Sequence, residues 1–178
     1  MKTARVVVAL AFLALTGCGA QEVKEAVVVS DEPPPLPEAR NLVAFRVGSQ
    51  PAGRFLVDTA SIAPGADGVT RFVFVMRGSS GAEMASFEGV RCGSNEFRIF
   101  ATSARGEEWR TLEHGEWRLL DGAVKNWVAF DYGGNDPRSV LAYHYLCNGE
   151  APRVKSEILA RLRGKHVDYL DPYHGVSP

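Results

Sequence analysis

The sequence predicts an α+β domain in which an antiparallel β-meander is packed by one or two C-terminal helices and stapled by one disulfide. Alternating apolar segments separated by short glycine-rich turns occupy residues 42 to 104, whereas helix signals appear only after residue 135. Two cysteines, Cys92 and Cys147, lie within this body. The 178 residues suit one domain, and 46% hydrophobic with 23% charged residues is a globular composition.

The clearest strand pattern lies between two glycine-rich turns. From Val69 to Arg77 both alternating faces are apolar, as in a central strand that is buried on both sides. Gly89 interrupts the next apolar segment and predicts a β-bulge. The other predicted strands are Leu42 to Val47, Phe55 to Asp58, Ala82 to Cys92 and Glu96 to Ala104.

Two helices are predicted near the C-terminus. Asp136 before Pro137 places a capping residue ahead of a proline at the first helical position, and Asn148-Gly149 ends that helix. A second helix is expected to start at Pro152 and to stop at Gly164.

Residues 1 to 17 are typical of a lipoprotein signal peptide. Two basic residues precede an apolar run of ten residues, Val6 to Leu15. This run is too short for a bilayer core, which needs about 20 residues. The following Leu-Thr-Gly-Cys resembles the bacterial lipobox, so we expect Cys18 to carry the lipid. An ordinary secretory signal with an unrelated cysteine is the alternative.

The expected lipid also predicts a location and a tether. Gly19 follows the cysteine instead of the aspartate that retains lipoproteins in the inner membrane, so we expect an outer-membrane anchor facing the periplasm. Residues 18 to 40 contain a proline-rich run, 32 to 37, which is typical of a stiff spacer and less so of a ligand for a proline-binding domain. The single domain then spans residues 41 to 165, and 166 to 178 form a tail.

The two remaining cysteines have two interpretations. In an oxidising envelope, Cys92 and Cys147 are expected to form a structural disulfide between the sheet and the first helix. The alternative is a reactive pair assisted by His144, but the sequence has no C-x-x-C spacing.

Several motifs carry a family resemblance. The most specific is Phe-Glu-Gly-Val-Arg-Cys, residues 87 to 92; others lie at Phe55 to Asp58, Gly65 to Phe72 and Tyr145 to Cys147. Over residues 40 to 165 these motifs resemble the cryptic-neisserial-protein-type lipoproteins of proteobacteria. The resemblance implies an envelope lipoprotein with a Cys92–Cys147 pair and implies no reaction. The order of strands, cysteine and late helix is more distantly similar to surface-adhesin type E domains.

The candidate chemistry is sparse. Asp58 and Ser61, with His114 or His144, give an alternative function as a periplasmic hydrolase, although no G-x-S-x-G elbow is present. The tail pattern from His166 to His174 contains imidazole and carboxylate groups, but a solvated tail is favoured over a metal site. No phosphate-binding glycine loop occurs, and the sequence predicts no cofactor and no metal.

Aromatic residues between 109 and 132 suggest binding instead. The tryptophans Trp109 and Trp117 are expected to fill the core and cap the sheet, while Trp127 and Tyr132 are the candidate partner-binding residues. Three arginines, Arg98, Arg110 and Arg118, accompany this cluster. A net charge of −1 argues against nucleic acid. We therefore predict a non-enzymatic envelope lipoprotein that is anchored by its lipid and binds an envelope protein or surface partner.

Overall fold

A computed structural model of the protein describes residues 29–47, 53–120 and 136–164. Strands β1 to β6 form an antiparallel sheet in sequential order. Strand β7 also pairs with β5, at a different part of that strand from β6. The predicted α+β meander is thereby confirmed. The strands are β1 Leu42–Phe45, β2 Phe55–Pro64, β3 Val69–Arg77, β4 Glu83–Arg91, β5 Glu96–Ala104, β6 Arg110–Thr111 and β7 Arg118–Leu119.

One face of the sheet carries the main core. Cross-strand partners such as Phe55 and Met76, or Thr70 and Val90, point to this face, because paired residues share a side of the sheet. The phenylalanines of this face pack against buried residues of the C-terminal helical segments, which form the helical layer and include Leu141, Leu146 and Ile158. We call this the helical face.

The opposite face of the sheet, which we call the arm face, is covered in part by an N-terminal segment, Asp31 to Pro37, which we call the arm. A smaller cluster around Val73, Phe87 and Phe100 packs there with partly buried Trp109. The indole Nε1 of Trp109 donates a 2.7 Å hydrogen bond to the carbonyl of Pro34. The proline-rich segment from Asp31 to Pro37, which the sequence analysis assigned to the tether, thus contacts the sheet directly.

An arginine fixes the start of this arm. The guanidinium of Arg71 is almost fully buried and contacts the carboxylates of Asp31 at 2.6 Å and Asp67 at 2.8 Å. Burial alone lowers the pKa of Arg71, but the hydrogen bonds that its guanidinium donates to the two carboxylates outweigh this effect, so the net pKa lies above its ordinary value. The same contact lowers the pKa of Asp67.

The helical layer differs in detail from the sequence prediction. Helix α1, Pro137–Leu141, has the predicted cap, since the side chain of Asp136 accepts from the amide of Ser139. It then continues as a π-helical turn, Ala142–Leu146. The predicted stop at Asn148-Gly149 is a hairpin turn between β8, Cys147–Asn148, and β9, Ala151–Pro152.

The predicted second helix begins later than expected. Pro152 pairs in β9, and α2 spans Lys155–Leu162, ending before Gly164, which has a φ of +66°. The expected disulfide is present between Cys92 and Cys147, with Cα atoms 5.7 Å apart. It joins the end of β4 to the end of the first helical segment.

The prediction of a bulge at Gly89 is wrong. Gly89 pairs regularly with Arg71 and Arg98, and the register shift falls between Phe87 and Glu88. The extra residue is Phe100 on β5, which turns its ring to the arm face. A Cβ on Gly89 would lie 2.9 Å from that ring, so the glycine is needed for close approach.

Candidate binding surfaces

Asp58 and Ser61, the candidate hydrolase residues, form hydrogen bonds to the protein backbone in the structure. Buried Asp58 accepts hydrogen bonds from the amides of Ala60 and Ser61, each at 3.2 Å. The hydroxyl of Ser61 donates to the carbonyl of Asp58 and accepts from the amide of Val73, both at 2.8 Å. These bonds replace ladder contacts where the pairing of β2 with β3 shifts between Asp58 and Ala63.

This arrangement does not activate a nucleophile. A serine nucleophile needs its hydroxyl proton directed to a base, whereas the Ser61 proton is directed to a main-chain carbonyl. His114 and His144 are both exposed, and among the described residues no hydrogen bond connects either to Asp58 or Ser61. Cys147 is in the disulfide, so it forms no reactive pair with His144.

Within the described ranges, no group of three or more His, Cys, Asp or Glu side chains has the geometry of a metal site. The predicted tail, His166 to His174, and the candidate binding residues Trp127 and Tyr132 lie outside the described residues.

A buried ion pair attaches α1 to the sheet. The carboxylate of Glu88, on the helical face of β4, has no exposure and accepts from Arg138 Nε at 2.8 Å and from a terminal nitrogen at 2.7 Å. Ser86 donates a further hydrogen bond to the same carboxylate. Burial alone lowers the pKa of Arg138, but Glu88 outweighs it and the pKa is raised. Both oxygens of the Glu88 carboxylate accept hydrogen bonds, which indicates that the pair positions α1 on the sheet.

Arginines and aromatic rings meet on the arm face near the turn from β4 to β5. The guanidinium of Arg91 lies 4.0 Å from the centre of the Trp117 ring, and that of Arg98 lies 5.2 Å from the Phe100 ring. Phe100 and Trp117 contact edge to face at 6.4 Å. Leu119, paired with Glu96, is 67% exposed beside them. We call these five residues the arginine–tryptophan patch: Arg91, Arg98, Phe100, Trp117 and Leu119.

Several local features build this patch. A Cβ on Gly115 would lie 2.5 Å from the carbonyl of Ile99, so only glycine lets this loop lie so close to β5 beside Arg98. The carboxylate of Glu96 accepts from Arg91 at 3.2 Å and holds that guanidinium beside the indole. The Nε of Arg98 is buried and has no hydrogen-bond partner among the described residues.

The structure separates the aromatic and arginine residues that the sequence grouped. Trp109 and Trp117 are both half-buried caps on the arm face, not fully buried core. Arg118 stacks at 4.8 Å on Phe97, and Arg110 is exposed on β6. The sequence does not indicate Arg91, because its contact with Trp117 depends on strand register, which composition does not reveal.

The chain thus folds as a small disulfide-linked α+β domain with a docked N-terminal arm and a partly exposed arginine–aromatic surface. The chain belongs to the CNP1-like family, which matches residues 21–163. It is 25% identical over 162 residues to "Cryptic neisserial protein 1" of Neisseria gonorrhoeae (strain ATCC 700825 / FA 1090), covering 80% of this chain and 75% of that protein. No solved structure matches it significantly. The predicted family is confirmed.

The described part of the chain contains no helix that is both long and apolar enough to cross a membrane.

Proposed function

We propose that this protein is a lipid-anchored, non-enzymatic binding module of the bacterial envelope, which binds a partner protein through the arginine–tryptophan patch. The observation that carries the proposal is the packing of Arg91 on Trp117 beside an exposed leucine, Leu119. Arginine and tryptophan are the residue types most enriched among those that dominate binding energy.

The patch is also prepared for binding. Aromatic rings hold the guanidinium groups of Arg91 and Arg98 in place, so less side-chain entropy is lost when a partner binds. Among the described residues, the buried Nε of Arg98 has no acceptor. A carboxylate or carbonyl of a partner would bind the terminal nitrogens of the same guanidinium.

The expected lipid would keep this surface near a membrane. Asp31, which is bound to Arg71, lies thirteen residues after Cys18. A fully extended chain of that length reaches at most about 45 Å. Arg71, Gly89 and Arg98 are cross-strand neighbours, so the arm and the patch share one face. We propose that the partner is a protein within this distance of the membrane that carries the lipid.

The anchor is tested by Cys18→Ser. We expect an unprocessed precursor or a soluble protein on envelope fractionation, because the sulfur is the attachment atom. A processed variant that remains in the membrane fraction would contradict the anchor.

The patch is tested by native electrophoresis of protein extracted from its own envelope with mild detergent. We expect the wild type to migrate as a complex and Arg98→Gln to migrate as the free protein. Arg163→Gln is the matched control, since Arg163 is exposed at the end of α2. A complex that survives Arg98→Gln and Trp117→Ala unchanged would refute the proposed surface.

A further inference from the structure

An open apolar cavity of about 340 Å³ lies at the other end of the sheet from the patch. Its floor is a cross-strand row on the helical face, in which Met76 pairs with Met84 and Met84 pairs with Ala104. The turn from Gly78 to Ala82 borders one side. The patch adjoins the turn from β4 to β5 instead, so the two sites are separate.

Among the described residues, the helical layer leaves this end of the face open. The preceding row contains Phe74, which is buried in the main core beneath Arg138. Met84 in the next row is 43% exposed, and it is one of three large hydrophobic side chains with substantial exposure among the described residues. Methionine side chains are flexible and polarisable, which suits a surface that adapts to an apolar ligand.

The rim of the cavity is positively charged. Arg54 and Arg105 line it, and neither has an ion pair within the described residues. Glu83 also lines it, but its carboxylate is bound to Arg77 Nε at 2.8 Å. The Nε of Arg54 is buried and has no hydrogen-bond partner among the described residues. The cationic rim therefore has donors that lack a counterion.

We propose that this cavity binds a single-chain amphiphile with an anionic head, of the fatty-acid type. The apolar chain would lie on Met76 and Met84, and the carboxylate would contact Arg54 at the rim. The volume is at the lower end of the roughly 300–1,000 Å³ typical of small-ligand sites, so one alkyl chain is a better fit than a diacyl lipid.

The chemistry of the site selects among amphiphiles. A cationic head would meet Arg54 and Arg105 and be repelled, and a neutral head would leave their charges without a partner. A short chain would leave Met84 exposed to water and lose the apolar contact. The proposal therefore predicts a dependence on both head charge and chain length. It does not depend on the arginine–tryptophan patch.

The sequence provides two well-placed reporters. The chain has three methionines, and Met1 lies in the predicted signal peptide, so the processed domain retains only Met76 and Met84. With methyl-¹³C methionine, a titration with sodium dodecanoate below its micelle concentration is followed by NMR. We expect both methyl resonances to shift saturably. Sodium hexanoate and dodecyltrimethylammonium should each bind at least tenfold more weakly.

Variants then assign the contacts. Arg54→Gln and Met84→Gln should each weaken dodecanoate binding at least tenfold. The controls are Arg163→Gln and Val154→Gln, exposed positions on the α2 side, and these should stay within twofold of the wild type. Absence of saturable shifts, equal affinity for the cationic amphiphile, or unchanged binding in both variants would each overturn the proposal.

Discussion

Replacing Arg138 by methionine should destabilise the domain far more than any surface ion pair does. The variant leaves the carboxylate of Glu88 with no exposure and only the hydroxyl of Ser86 as a side-chain partner. Removing one partner of a buried pair costs about 3–5 kcal/mol. Because the Arg138 side chain is 22% exposed, water reaches part of the site and we expect the lower end, about 3 kcal/mol.

Two matched controls separate the charge from the packing. Arg118 stacks on the same ring, Phe97, as Arg138 does, at 4.8 Å against 5.0 Å. Arg118→Met therefore removes a stacked guanidinium without breaking this pair. Arg77→Met breaks the Arg77–Glu83 pair, whose side chains are 42% and 38% exposed, and should cost less than about 1 kcal/mol.

The assay is urea unfolding at pH 7 of the wild type, the three single variants and one double variant. A small domain has about 5–15 kcal/mol of total stability, so the loss in Arg138→Met should appear as a large shift in midpoint. The double variant Glu88→Leu with Arg138→Met should recover most of it, because no unpaired charge stays buried. A loss in Arg138→Met no larger than in Arg118→Met would refute the reasoning.

Three further predictions concern the staple and the arm. Cys92→Ala and Cys147→Ala should each lower the free energy of unfolding by about 4 kcal/mol, because each opens a disulfide that joins residues 55 apart, and the double variant should be no less stable. Unequal losses for the two single variants in thermal melts would contradict the loss of one common disulfide. Trp109→Phe removes the hydrogen bond to Pro34 and should cost about 1 kcal/mol while speeding proteolysis of the arm; unchanged cleavage would argue against docking. The pKa of Asp67 is lowered by its hydrogen bond with Arg71, so its contribution to stability is present above its unfolded pKa and is lost as pH falls through the lower folded pKa. Asp67→Asn should lose less stability than the wild type in acid melts below about pH 4, and parallel pH profiles would contradict this.

The strands β3 and β5 could be predicted to the residue because glycine-rich turns bound them on both sides. The cap at Asp136 was equally predictable, since it depends only on neighbours in sequence. Strand β2 extends to Pro64, well beyond the predicted Asp58, because a polar stretch around Ser61 is held by side-chain hydrogen bonds to the backbone. Strand residues that are held by such hydrogen bonds show no alternating apolar pattern in the sequence, so the end of β2 could not be predicted.

Contacts between distant parts of the chain were not predictable. The arm depends on the Arg71–Asp31 and Trp109–Pro34 contacts, which are separated by 40 and 75 residues. Glu88 in a strand looks like a solvent-facing residue until α1 brings Arg138 to it. The patch likewise depends on the pairing of β5 with β7. This pairing is only two residues long, so it leaves no alternating apolar pattern in the sequence.

The proposed binding role is tested most directly by photo-crosslinking in the native envelope. A benzophenone amino acid is placed at Leu119 in the patch or, as control, at exposed Ser156 on α2. We predict one discrete protein adduct from position 119 that disappears when Trp117→Ala is added, and no such adduct from position 156. Equal crosslinking from both positions, or an adduct that survives Trp117→Ala, would contradict the account.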